Sequence, residues 1–140
     1  MFATSTFSRS ASSLQMSGLY RQVGVETGVA AASPHQLVQM LFDGLLESLG
    51  HARAALREQQ VEAKGRAITR AARILDEGLK SALSPAGGEL TQNLDSLYGY
   101  VAMRLMQAHL HNDDAALAEC QRLIQPVRDA WAEIGAQVQA

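Results

Sequence analysis

The stretch Ser33–Arg57, SPHQLVQMLFDGLLESLGHARAALR, decides the fold. Ser33 stands where an N-cap belongs, Pro34 at the first helical position and Gln36 at the third, which is a capping box written in sequence. At about 100° per residue, Leu37, Val38, Met40, Leu41, Phe42, Leu45, Leu46, Leu49, Ala52 and Leu56 cover about two thirds of the circumference. Gln36, Gln39, Asp43, Glu47 and Arg57 fill the polar strip that remains. A helix resting on one neighbour needs a narrower stripe. This helix has to be covered from two sides, by bundle partners or by something from outside.

Three further amphipathic segments follow. Val61–Leu83 aligns Val61, Ile68, Ala71, Ala72, Leu75, Leu79 and Leu83. Ile74 lies off that line beside Ala63, Ala67 and Gly78, small residues that allow close helix approach or leave a shallow groove. Ser84-Pro85-Ala86-Gly87-Gly88 breaks the chain. A third helix beginning near Glu89 aligns Leu90, Leu94, Leu97, Tyr98, Val101, Leu105 and Ala108, while Met103, Met106 and Leu110 fall outside its stripe. Asn112-Asp113-Asp114 ends it and caps a fourth, with Leu117, Cys120, Leu123, Ile124, Val127, Trp131, Ile134 and Val138 in line. Pro126 inside that helix removes a backbone bond and predicts a kink near Arg122–Pro126. Four such segments joined by short loops predict an all-α, antiparallel, up-down-up-down four-helix bundle. Ahead of it, residues 18–32 read as a short helical segment, loosely held because Gly24 and Gly28 interrupt it. Residues 1–17 read as a Ser/Thr-rich disordered tail, so the expected domain is 18–140.

Composition agrees with helices. Hydrophobic residues make up 47 % of the 140 but aromatics only 5 %, so Ala and Leu carry the apolar content and β-structure lacks its preferred residues. The net charge of -2 disfavours a nucleic-acid grip through phosphates. Between Arg53 and Lys80, seven basic residues face four acids; between Glu89 and Glu133, seven acids face three arginines. Solvated helix faces account for that division, and steering of a charged partner is the sharper use of it. A single cysteine, Cys120, suits a reducing compartment. No apolar run approaches the roughly 18 residues of a membrane span, and the N-terminus carries no signal-peptide pattern. The expected location is the cytoplasm, without membrane insertion.

Catalytic chemistry has no constellation to stand on. His109-x-His111 places two histidines on different sides of a helix, and neither HExxH nor an inward Glu-x-x-His pair is present. Gly87-Gly88 lacks the Lys-Ser/Thr of a phosphate-cradling loop. Cys120 sits on an apolar stripe, where a core thiol is the ordinary reading. His51 is the one candidate for phosphotransfer, and nothing around it forms a pattern for receiving a phosphoryl group. No catalytic residue, metal or cofactor is expected. What remains is surplus apolar surface on the first helix, at Ile74, and at Met103 and Met106, where soft side chains adapt to a partner. A helix-in-groove binder is its simplest use; a second copy of the chain would hide the same surface.

An ordered series of motifs resembles the flagellar secretion chaperone FliS family. It runs through Tyr20-Arg-Gln-Val-Gly-Val-Glu-Thr, Ala32-Ser-Pro-His-Gln-Leu-Val-Gln-Met-Leu-Phe-Asp-Gly44, Lys64-Gly65 and Ile74-Leu-Asp-Glu-Gly-Leu79. Gly88-Glu-Leu-Thr-Gln-Asn-Leu94, Leu97-Tyr-Gly-Tyr100, Arg104-Leu-Met-Gln-Ala108, Asn112-Asp113 and Asp129-Ala-Trp131 continue it. The resemblance covers residues 18–135. It implies a non-enzymatic helical bundle that holds the disordered C-terminal segment of flagellin in the cytoplasm, prevents premature polymerisation and delivers it to the flagellar type III export gate. It also implies that Leu19–Val29 occupies part of the groove when cargo is absent. Met103 departs from the family, where basic residues are usual before the position matching Arg104. The expected partner-binding residues are Tyr20, Val23, Met40, Leu41, Phe42, Leu45, Ile74, Tyr98, Met103 and Met106, with a homodimer as the cargo-free state. The alternatives are a histidine phosphotransfer module at His51 and a homodimeric structural bundle without cargo.

Overall fold

The structure is a computed structural model that describes residues 32–139. Helix α1 spans Pro34–Arg57, α2 Val61–Arg73, α3 Glu89–His111 and α4 Asp114–Gln139. The expected capping box is present: Gln36 N donates to Ser33 Oγ at 3.1 Å, and Ser33 N donates to Gln36 Oε1 at 2.8 Å. Two of the orphan donors at the start of α1 are thereby satisfied. The expected tail, residues 1–17, and the expected segment 18–31, with Tyr20 and Val23, lie outside the described residues.

Cross-links between helices establish the direction of every neighbour. Arg53 near the end of α1 meets Asp114 at the start of α4, while His35 at the start of α1 stacks on Trp131 far along α4. Arg70 of α2 reaches Gly44 and Ser48 of α1; Lys64 of α2 reaches His109 of α3, and Lys80, beyond the end of α2, pairs with Asp95 of α3. Cys120 lies against Val101 across α3 and α4. Low numbers meet high numbers in each case, so every adjacent pair is antiparallel. α1 and α3 occupy opposite corners of the bundle, with α1 the most embedded helix and α3 the least.

The second helix differs from the regular one expected. After Arg73 the chain widens into a π-helical turn, Ile74–Leu79, in which Lys80 N donates to Leu75 O at 2.8 Å, five residues back. A π turn takes more residues per revolution than an α turn and so widens the face that looks inward. Ile74, Leu75, Gly78 and Leu79 are all buried as a result. Ile74, assigned to a groove by uniform 100° phasing, is a core residue with no exposed surface. Gly78 is required there: a Cβ would stand 2.9 Å from both terminal methyls of Leu41.

Both ends of the α3–α4 connection are tied down. Asn112 adopts a left-handed φ of 51°, and buried Lys64 donates from Nζ to His109 O at 3.2 Å and to Asn112 Oδ1. The last carbonyls of α3 thus gain a cationic donor where the helix dipole favours one. α4 runs through Pro126 as one element, with the proline on its exposed side. No helix among the described residues is long and apolar enough to cross a membrane.

Candidate partner-binding surface

The wide apolar arc of α1 is consumed by the bundle. Leu37, Leu41, Phe42, Leu45 and Leu49 are each at most 1 % exposed and share one core cluster with Ile74, Leu75, Val101, Leu105 and Ile124. Of the expected partner-binding residues, Leu41, Phe42, Leu45, Ile74 and Tyr98 are therefore corrected to core positions; two flanking helices cover what a single neighbour could not. Met40 is half-buried against that core. Burial raises the Tyr98 phenol to about 12 and the Cys120 thiol to about 11, which keeps both protonated and Cys120 unreactive.

Met103 and Met106 are the expected residues that reach solvent, at 48 % and 58 % exposure, and Leu110 beside them is 65 % exposed. They lie on the outward side of α3, opposite the inward line of Leu94, Val101 and Leu105. Periodicity sets them apart from the core stripe, and their exposure agrees with that phasing. Next to this face a groove runs between α2 and α3. Its floor is Ile68 and Leu105, and its walls are Thr69, Ala72 and Arg73 on one side and Ala102, Met106 and His109 on the other. It continues into a depression of about 550 Å³ bordered by Glu62, Gly65, Arg66 and Arg70. Small side chains on both walls, Gly65 and Ala72 against Ala102, keep the cleft open. The sequence places Ala72 on the apolar stripe of the second helix and Gly65 in the Lys64-Gly65 motif, and neither position by itself points to a groove.

A second depression separates α1 from α2, lined by His51, Ala54, Ala63, Ala67 and Arg66. The small residues Ala63 and Ala67 border a groove as expected, but Ile74 takes no part in it. His51 is exposed here, in a depression lined by alanines and by Glu58, Gln60, Arg66 and Arg70. Among the described residues no His/Cys/Asp/Glu group could hold a metal ion.

The polar contacts around α3 hold the open face in place. Glu119 of α4 accepts from Tyr100 Oη at 2.8 Å and from Arg104 Nε at 2.6 Å. Those donors pull the Glu119 carboxyl below its usual range, and the same pair raises Tyr100 and Arg104. Arg104 is therefore an anchor to α4. α3 keeps its rotational setting, and Met103 and Met106 stay outward.

Residues 16–138 match the family described as flagellar protein FliS. The chain belongs to the FliS family. Among curated relatives, the flagellar secretion chaperone FliS of Salmonella typhimurium is 47 % identical over 116 residues, covering 82 % of this chain and 86 % of that one. The flagellar secretion chaperone FliSB of Pseudomonas aeruginosa is 43 % identical over 113 residues, 80 % of this chain and 89 % of that one. FliS of Bacillus subtilis is 33 % identical over 112 residues and 80 % of each chain. These relatives are named as secretion chaperones, a non-enzymatic role, and a FliS chain implies a protein partner in the flagellar system.

Proposed function

We propose that this chain holds the disordered C-terminal segment of flagellin in the cytoplasm, prevents its premature polymerisation, and delivers it to the flagellar type III export apparatus. The observation that carries the reading is the exposed apolar face of α3, Met103, Met106 and Leu110, bordering an open groove with an apolar floor. A disordered segment that enters a groove must satisfy its backbone as it buries side chains, and helix formation does both at once. Methionine suits such a surface because its unbranched thioether adapts to successive apolar side chains.

Calorimetry and circular dichroism with the organism's flagellin C-terminal peptide test this. Binding with a gain of helicity and a negative heat-capacity change is expected, since apolar burial is coupled to folding. Equal binding of a scrambled peptide, or binding without added helix, would refute it. Co-expression followed by co-purification checks the same pairing with full-length flagellin.

A further inference from the structure

Four sulfur-bearing side chains lie among the described residues: Met40, Met103, Met106 and Cys120. The fold gives them very different access to solvent. Cys120 is buried, and that burial keeps its thiol protonated and unreactive. Met40 is half-buried against the core. Met103 and Met106 stand outward on α3 at 48 % and 58 % exposure. Among these four, an oxidant arriving from solvent meets this pair first.

Position makes the pair more than two accessible thioethers. Spaced i, i+3, they are neighbours on one helix face, and Met106 forms part of the groove wall above Ile68 and Leu105. Of the three large apolar side chains that the end of α3 shows here, Met103, Met106 and Leu110, two carry sulfur. Leucine would supply similar apolar area with nothing to oxidise. Sulfoxidation turns a flexible apolar side chain into a polar, chiral one. Neither methionine belongs to the core cluster, so an added oxygen displaces no buried neighbour. The surface changes and the bundle does not.

We propose that Met103 and Met106 form a reversible oxidation site, at which a peroxide switches off the apolar face of α3 without unfolding the bundle. Each thioether sulfur attacks one peroxide oxygen with a lone pair. The O–O bond breaks, an S–O bond forms, and the second oxygen leaves as water; sulfur is oxidised and peroxide reduced by one electron pair. A methionine sulfoxide reductase reverses the step, the sulfoxide oxygen leaving as water while a dithiol closes to a disulfide. The consequence for cargo rests on the function proposed above; the site itself does not.

Hydrogen peroxide treatment of the full chain, followed by peptide mass mapping, tests the site. Met103 and Met106 should each gain one oxygen well before Met40, while the thermal melt and helical content stay as in the untreated chain. Oxidation of Met40 at the same rate, or loss of the melt as the pair oxidises, would overturn the site. Flagellin C-terminal peptide, added once the peroxide is removed, tests the consequence. Its affinity should fall by at least about tenfold, as for loss of a central contact, and recover after treatment with the two epimer-specific reductases. A chain carrying both Met103→Leu and Met106→Leu, whatever its starting affinity, should bind the same before and after peroxide. Unchanged affinity in the oxidised wild type, no recovery with the reductases, or an equal loss in the leucine variant would overturn the control of cargo binding. A peptide that does not bind the untreated chain overturns the proposed function and that control together, while mass mapping and the melt still decide the site.

Discussion

α1 and α3 differ by one residue in length, 24 against 23, and both carry apolar side chains far round their circumference. The bundle treats them oppositely. α1 sits between α2 and α4, and its arc from Leu37 to Leu49 vanishes into the core. α3, at the opposite corner, shows half of its apolar residues to solvent. Excess apolar surface on a helix is therefore not in itself a binding site. It becomes one only where no neighbour arrives to cover it.

Truncations sharpen that contrast most strongly. Phe42→Ala or Leu41→Ala on α1 should cost ~3–5 kcal/mol in urea unfolding, through lost burial and a cavity. Ile74→Ala should behave like them, at ~2–5 kcal/mol, because the π turn carries it inward. Were Ile74→Ala to melt as wild type, the π turn would not have the packing described.

Met103→Ala and Met106→Ala on α3 should change stability by less than ~1 kcal/mol. They should nonetheless weaken binding of a flagellin C-terminal peptide by ~1–2 kcal/mol in calorimetry. Normal affinity in both variants would move the cargo surface off α3 and erase the functional half of the comparison.

Two glycines restate the difference at the level of one methyl group. Gly78→Ala forces Leu41 aside and should destabilise by ~1–3 kcal/mol, as overpacking does. Gly99→Ala meets nothing and should stabilise α3 by up to ~1 kcal/mol. Thermal melts of the two variants should shift in opposite directions.

The smallest expected effect is electrostatic. Arg53 donates to Asp114 from Nε and Nη2 at 2.8 and 2.9 Å, and holds that carboxyl below its ordinary range. A depressed carboxylate stabilises the fold above its unfolded pKa of ~4 and loses that contribution as pH falls through its lower folded value. Because the pair is about one third exposed, Asp114→Asn should cost less than ~1 kcal/mol at neutral pH. The difference from wild type should disappear in acid. A constant difference across that range would assign the cost to lost hydrogen bonding.

Local chemistry was sufficient for much of this molecule. Ser33, Pro34 and Gln36 specify the start of α1 because their capping bonds close within one turn. The loops at Ser84–Gly88 and Asn112–Asp113, the four helices and the outward setting of Met103 and Met106 follow equally from nearest neighbours and periodicity. Which apolar faces would be covered did not follow, since that depends on residues far apart in the chain. The burial of Leu41, Phe42, Leu45 and Tyr98 is decided by which helices become neighbours, and that of Ile74 by a turn that breaks the 100° step. The groove between α2 and α3 likewise needs Gly65 and Ala72 to meet Ala102 across more than one helix of sequence. A sequence states how apolar each face is; only tertiary packing decides which of those faces stays open to another protein.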